Sequence, residues 1–308
     1  MSRPALAAAL ARSVVVLDGG LATKLEAQGH DLSSSLWSAR LLADDPEAVR
    51  AAHAAFFAAG AAVATTASYQ ASIEGFARAG VDRAGTERLL RRSVALAVQA
   101  REATDEPERR WVAASVGTYG AARADGSEYR GDYGLTVDQL RAWHRPRLQL
   151  LAGTEADVLA CETVPCLAEA EALVAEVQQA DRPAWLSLTC AGDRTRAGEP
   201  AVEGFALARG IDQVVAVGVN CTDPDDVPEL VGLAARASGK PVVVYPNSGE
   251  RWDAERRAWS GEGALQPAAV RSWVAAGARL VGGCCRVSPA DLADLVAALG
   301  AEQAGVPS

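Results

Sequence analysis

Histidine is scarce in this chain of 308 residues: only His30, His53 and His144 occur. None closes a β-branched run; they fall in a loop or in helical segments, where surface or structural roles are expected rather than ligation. That argues against a zinc hydrolase, whose sites draw on histidine and carboxylate ligands around a metal-bound water. No run of about 18 apolar residues occurs, so no membrane-spanning helix is expected. Basic residues are the minority, 30 against 39 acidic ones, for a formal net charge of −9. An acidic chain repels phosphate backbones, and nucleic acid is not an expected partner. The first apolar segment ends in Asp18-Gly19-Gly20 without the further glycine spacing of a phosphate-binding loop, which counts against an open dinucleotide-binding sheet. Linkers, low-complexity tracts and internal repeats are missing too.

Cysteines number six, and they are too sparse for a small secreted disulfide scaffold. Two of them, Cys284 and Cys285, are adjacent, an awkward geometry for a disulfide. A reducing, cytoplasmic compartment fits best. At the N-terminus, Arg3 followed by Ala5–Ala11 faintly resembles a secretion signal, but Arg12 ends the short apolar stretch and Val14 opens a core strand. A fraying first helix is the expectation there.

What remains is ordinary globular composition, 49% hydrophobic and 22% charged, arranged in a regular alternation. Near-continuous apolar runs, as strands buried on both faces require, cover 14–20, 62–68, 111–118, 158–163, 184–190, 214–221, 241–247 and 279–285. Helical segments are expected at 46–59, 86–103, 137–152, 166–179, 224–237, 267–276 and 289–299, with a weak one near 202–209. Asp45-Pro46, Asp223-Pro224 and Ser288-Pro289 read as helix starts, and Gly60, Gly153, Gly277 and Gly300 as helix ends. Eight βα units in this length predict an α/β protein built as a single (β/α)₈ TIM barrel, one domain over 1–308 with a core of about 13–300.

Active sites of such barrels form where the strands end. The first strand ends at Asp18, the second near Thr66 to Gln70, the fourth at Cys161-Glu162-Thr163, the sixth at Asn220-Cys221 and the eighth at Gly283-Cys284-Cys285. Cys221, Cys284 and Cys285 would meet at one mouth. Three thiolates are a sound zinc set with an open fourth position, if Gly282-Gly283 lets the backbone turn so that both neighbours reach one ion. The other reading is that they are small buried hydrophobes. Cys161, Cys166 and Cys190 are expected to be packing residues, with Cys161 facing away from Glu162. Glu162 is expected to project into the mouth, the alternative being a solvated loop carboxylate, and Asp18 either does the same or caps the following helix. Tyr119, Tyr129 and Tyr133 follow the third strand, and Tyr245, Trp252 and Trp259 lie on or after the seventh. Their faces suit a sulfonium or ammonium cation, or else they pack a lid.

Over nearly its whole length the sequence resembles the zinc-dependent homocysteine S-methyltransferase family. The matching segments are Leu17-Asp18-Gly19-Gly20, Leu36-Trp37-Ser38-Ala39, Thr66-Ala67-Ser68-Tyr69-Gln70-Ala71, Ala124-Asp125-Gly126-Ser127-Glu128-Tyr129-Arg130-Gly131, Cys161-Glu162-Thr163-Val164-Pro165, Gly218-Val219-Asn220-Cys221, Tyr245-Pro246-Asn247-Ser248-Gly249-Glu250 and Gly282-Gly283-Cys284-Cys285-Arg286. Thr118 departs from the pattern, where proline is expected before Tyr119. The resemblance implies that Cys221, Cys284 and Cys285 hold one Zn²⁺, that Asp18 and Glu162 bind the homocysteine amino group, and that Thr66, Ser68, Asn220, Tyr119 and Tyr129 line the substrate site. It implies methyl transfer from a sulfonium donor, S-methylmethionine or S-adenosylmethionine, to L-homocysteine. Betaine as donor, or a non-enzymatic zinc or redox protein, are the competing readings. Glu128 and Glu250 are expected to meet a donor ammonium, and Arg130 or Arg251 a donor carboxylate. No cobalamin or folate module is expected.

Overall fold

The computed structural model describes residues 3–32, 36–253, 258–260, 263 and 267–303. Its eight main strands are β1 (Val15–Val16), β2 (Val63–Thr65), β3 (Trp111–Val116), β4 (Val158–Val164), β5 (Ala184–Leu188), β6 (Val214–Asn220), β7 (Val242–Tyr245) and β8 (Ala278–Val281). Neighbours pair in parallel all the way from β2 through β8 to β1. A parallel bridge between Leu17 and Val63 closes the ring. The expected barrel is therefore present, and its strands other than β4 are shorter than their apolar runs.

The unbroken apolar runs have a structural cause. Every residue of β3 and of β4 is buried, since a barrel strand packs helices on one face and the barrel interior on the other. Alternate residues divide between two cores. Trp111, Ala113, Val158, Ala160, Trp185, Val243 and Tyr245 fill the interior, while Val112, Ala114, Leu159, Cys161 and Val217 meet the helices outside. Near the C-terminal mouth the inward positions turn polar: Ser115 on β3, Glu162 on β4 and Asn220 on β6 are all buried. The interior is thus a hydrophobic plug capped by a layer of polar chemistry.

Four expectations need correction. The first helix, Leu6–Leu10, does not fray: Leu6 and Leu10 join the interior cluster and stopper the barrel's lower end. Trp111 Nε1 donates to the Pro4 carbonyl at 2.9 Å and Arg3 pairs with Asp157 at 3.2 Å, tying the segment down. Asp45 accepts from Ala48 N at 3.1 Å as a helix cap should, but the helix expected at Pro224 begins at Val227. Asp223 Oδ1 instead accepts from Asp225 N, making a local turn that delays the helix. Gly300 lies inside the last helix, Pro289–Gln303, where its alanine and glutamate neighbours sustain the helix despite it. The long mouth loop after β3 carries structure of its own, a short helix Tyr119–Arg123 and a 3₁₀ turn Ser127–Tyr129. The weak fifth helix is real and short, Ala201–Ala206. Among the described residues no helix is long and apolar enough to cross a membrane.

If the first helix is a stopper, Leu10→Ala lowers unfolding stability by about 2–5 kcal/mol, the cost of emptying a packed leucine site. Urea denaturation measures this, and a change under about 0.5 kcal/mol would mean a frayed helix after all.

Candidate active site

The segments that follow β6 and β8 carry the cysteines, and β7 lies between them. Its exit stitches both to itself. Cys221 N donates to the Tyr245 carbonyl at 3.3 Å, Gly282 N to Val244 O at 3.0 Å, and Cys284 N to Pro246 O at 2.7 Å. Ser248 N returns a bond to Cys285 O at 3.1 Å. As a result the Sγ atoms of Cys221, Cys284 and Cys285 all lie within 4.8 Å of one another. The Cys221 and Cys284 sulfurs are in direct contact, with Cα atoms 5.7 Å apart. Among the described residues this is the one cluster of three or more cysteine, histidine or carboxylate groups close enough to share an ion.

The glycines beside it act differently from the expectation. Neither Gly282 nor Gly283 has the left-handed backbone that would make them a hinge; Cys221 and Arg286 have it, at φ 48° and 66°. Gly282 is required by close approach, since a Cβ there would sit 2.6 Å from the Asp18 carbonyl. Gly20 is pressed against the same strand end, its would-be Cβ 2.7 Å from Cys284 O. The loops after β1 and β8 interlock through these two hydrogen-only positions.

Both carboxylates face this mouth and both are buried. Asp18 does not cap the next helix. It accepts from Thr65 N at 2.7 Å and from Thr65 Oγ1 at 3.1 Å. Glu162 accepts from Ser115 Oγ on one oxygen and from the Tyr245 hydroxyl at 3.0 Å on the other. Burial pushes Asp18 up to about 8 and Glu162 up to about 7, against the pull of these hydrogen bonds. Among the described residues the donors to these carboxyls are a backbone amide and hydroxyls, and no salt bridge to either is formed.

The polar residues expected to touch substrate are engaged with one another. Thr66 Oγ1 and Ser68 Oγ lie 2.8 Å apart, Ser115 N donates to Thr66 Oγ1 at 3.0 Å, and Ser68 Oγ donates to Ser115 O at 2.8 Å. The Asn220 amide is engaged at both ends by one neighbour: its Oδ1 accepts from Thr163 N and its Nδ2 donates to Thr163 Oγ1, both at 2.7 Å. This clamp holds Thr163 at φ 61° and brings its hydroxyl to 3.9 Å from Cys221 Sγ. Thr66, Ser68 and Asn220 therefore brace the site walls, and their hydroxyl and amide groups keep further hydrogen-bonding capacity toward the mouth.

The aromatic residues separate into two groups. Tyr119 stacks edge-on against Tyr133 and Trp143, at 5.3 and 5.2 Å, and its N–H donates to Glu169 at 2.6 Å, so it anchors the β3 loop. Tyr129 is 42% exposed, and burial around its hydroxyl, with the nearby Cys285, raises its pKa. Its neighbour Glu128 has a buried Oε2 without a hydrogen-bond partner, and burial raises its pKa. Glu250 pairs with Arg286 at 2.9 Å, and Arg130 pairs with Asp132 at the surface, at 3.3 Å. Neither is free for a donor in the way expected. The side chains of Arg251, Trp252 and Trp259 lie outside the described residues.

Cys161, Cys166 and Cys190 are buried packing residues, as expected, and burial pushes each thiol up to about 12. His53 and His144 are wholly buried in helices and structural; His144 Nε2 lies 2.9 Å from Glu169. Ser115 and Thr163 were missed as site residues in the sequence, and Tyr245 was read there only as an aromatic face. The available signal was parity: Ser115 and Tyr245 stand an even number of residues after Trp111 and Val243, which face the interior.

A parallel barrel with three clustered cysteines and two buried, hydrogen-bonded carboxyls at its C-terminal mouth has the make-up of a thiolate-metal enzyme. A family model described as homocysteine S-methyltransferase matches residues 15–299. The Bacillus subtilis homocysteine S-methyltransferase YbgG is 43% identical, over 92% of this chain and 94% of the relative. The Escherichia coli homocysteine S-methyltransferase is 45% identical, over 93% and 95%. A crystal structure of the E. coli homocysteine methyltransferase MmuM in its metallated form superposes with a TM-score of 0.84 at 43% identity, covering 93% of this chain and 96% of that one. The chain belongs to the homocysteine S-methyltransferase family, and it is a methyltransferase.

The carboxyl environment has a measurable consequence. Unfolded, Asp18 and Glu162 ionise near the ordinary carboxylate values of 3.8 and 4.5; folded, they hold their protons to about 8 and about 7. The folded state binds more protons across that window, so each group's contribution is present at low pH and lost as pH rises through its folded value. In reduced, chelator-treated protein, stability should fall more steeply between pH of about 4.5 and about 7 for wild type than for Glu162→Gln. Parallel stability curves for the two would show that Glu162 is not desolvated.

Proposed function

We propose that this protein transfers a methyl group from S-methyl-L-methionine to L-homocysteine, with one zinc ion held by Cys221, Cys284 and Cys285. The observation that carries this reading is the meeting of three sulfurs beside two buried carboxyls that have no cation of their own. The donor set fits zinc: three thiolates leave a fourth position open, as catalytic sites do. When bound, zinc supplies a place where the homocysteine sulfur is kept as thiolate at neutral pH.

The chain's own residues do the rest. Asp18 and Glu162 receive the homocysteine ammonium, which restores the opposite charge that their burial withholds. Glu128, with its unpartnered oxygen, receives the donor ammonium, and Tyr129 lays its ring over the sulfonium. A new bond forms between the homocysteine sulfur and the methyl carbon as the donor's sulfur–methyl bond breaks, its electron pair staying on the departing thioether. Thiolate and sulfonium charges cancel in this step, so a mouth that excludes water favours it. Betaine has no primary ammonium and would leave Glu128 unpaired, and a bulky adenosyl donor is expected to be the weaker one. We further propose that one barrel domain carries the activity and that it works in a reducing, cytoplasmic setting, which keeps the three thiols available.

Cys221→Ala, Cys284→Ala and Cys285→Ala should each lose zinc and activity together, while Cys166→Ala keeps about one zinc per chain; metal analysis with an activity assay decides. Full activity in zinc-free Cys284→Ala would remove the site. With donors at equal concentration, S-methylmethionine should be fastest, S-adenosylmethionine slower and betaine negligible, and each methyl transferred from S-methylmethionine should release two methionines. Betaine as the fastest donor would overturn the donor assignment while leaving the cysteine site standing.

A further inference from the structure

We infer that Tyr245 and Ser115 are positioning residues for recognition of the homocysteine α-ammonium, acting through the Glu162 carboxylate. This rests on Glu162 receiving that ammonium. Tyr245 is the inward residue at the end of β7, is 3% exposed, and stacks edge-on against Trp185 with ring centroids 6.3 Å apart. Trp185 Nε1 has a hydrogen to donate and no acceptor lone pair, and it points to the Tyr245 hydroxyl at 3.0 Å. The tyrosine oxygen is therefore an acceptor on that side. Its single hydrogen is directed to Glu162 Oε2, also at 3.0 Å. Ser115 Oγ donates to the other oxygen, Oε1.

One donor on each oxygen fixes the plane of the carboxylate, because rotation would break both bonds at once. Ser115 is held in turn, its N–H by Thr66 Oγ1 at 3.0 Å and its carbonyl by Ser68 Oγ at 2.8 Å. Three strands thus converge on one carboxylate, and each oxygen keeps a lone pair for a cation arriving from the mouth. The tyrosine that the sequence offers as an aromatic face for the methyl donor works instead from beneath, by its hydroxyl, on the acceptor side. The array reads only the amino group: a thiol of the same length without it gains nothing from a well-aimed Glu162.

The test crosses variants with acceptors. Zinc-loaded wild type, Tyr245→Phe, Ser115→Ala and Glu162→Gln are assayed with S-methylmethionine and either L-homocysteine or 4-sulfanylbutanoate, its deaminated analogue. Zinc content and thermal midpoint are recorded for each. Tyr245→Phe and Ser115→Ala should each raise the homocysteine KM on the order of tenfold, the scale of one hydrogen bond to a charged group, with kcat and zinc content near wild type. Their kcat/KM for 4-sulfanylbutanoate should be unchanged. An equal loss on both thiols in Tyr245→Phe would mean that the hydroxyl merely supports the fold, and the inference fails. An unchanged homocysteine KM in Glu162→Gln would instead remove the reading beneath it. If Tyr245→Phe does not fold, Ser115→Ala decides alone by the same two ratios.

Discussion

The site depends on the backbone of the β7 exit. Cys221 and Cys284 are separated by 63 positions in sequence, and neither β6 nor β8 touches the other directly. The stretch from Val244 to Ser248 bonds to both, through Cys221, Gly282, Cys284 and Cys285. Four such main-chain links hold the sulfur-bearing segments together before any ligand arrives. The same strand carries Tyr245 into the barrel, so one short element sets the spacing of the cysteines and the aim of Glu162. Asn247 N adds a bond to Thr222 O at 3.1 Å, extending the seam past the strand end.

Charge placement follows from the same geometry. The polar inward layer is reached only after the apolar interior has excluded water, and that is why Asp18 and Glu162 resist ionisation. A charged carboxylate in such a place is costly without a counter-ion. Under the proposed reading that cost would make the site selective, because an acceptor that supplies an ammonium would relieve it. The hydroxyls of Thr66 and Ser68 and the amide of Asn220 bond to near neighbours and add rigidity to the mouth. Glu128 repeats the pattern on the opposite loop with an oxygen that has no partner.

Much of this was legible in the sequence. Strand after strand could be found from apolar runs, because both faces of a barrel strand are dry. The strand ends pointed to Cys221, Cys284, Cys285, Asp18 and Glu162, and the resemblance supplied the chemistry that ties them together. What stayed hidden depends on contacts between distant strands. Nothing local distinguishes a tyrosine that covers a ligand from one that clamps a carboxylate, and Tyr245 is the second kind. Asn220 was legible as important, but its partner Thr163 lies on another strand, so the direction of its amide could not be inferred. Gly282 was expected to bend, whereas it is a gap through which Asp18 passes. The first helix looked expendable because its docking surface, the barrel floor, is assembled from residues far downstream.

The pairing of β1 with β8 sets a timetable for the molecule during its synthesis. Val15 finds its partner Leu280 only when nearly the whole chain has left the ribosome, and at about 5–20 residues per second that wait is measured in tens of seconds. Until then β1 and the stoppering helix have one neighbour strand at most, and Cys221 emerges well before the two thiols it must meet. The nascent protein therefore presents an unpaired sulfur and an open sheet edge together, and a ring that seals last makes its final strand the one that commits the whole.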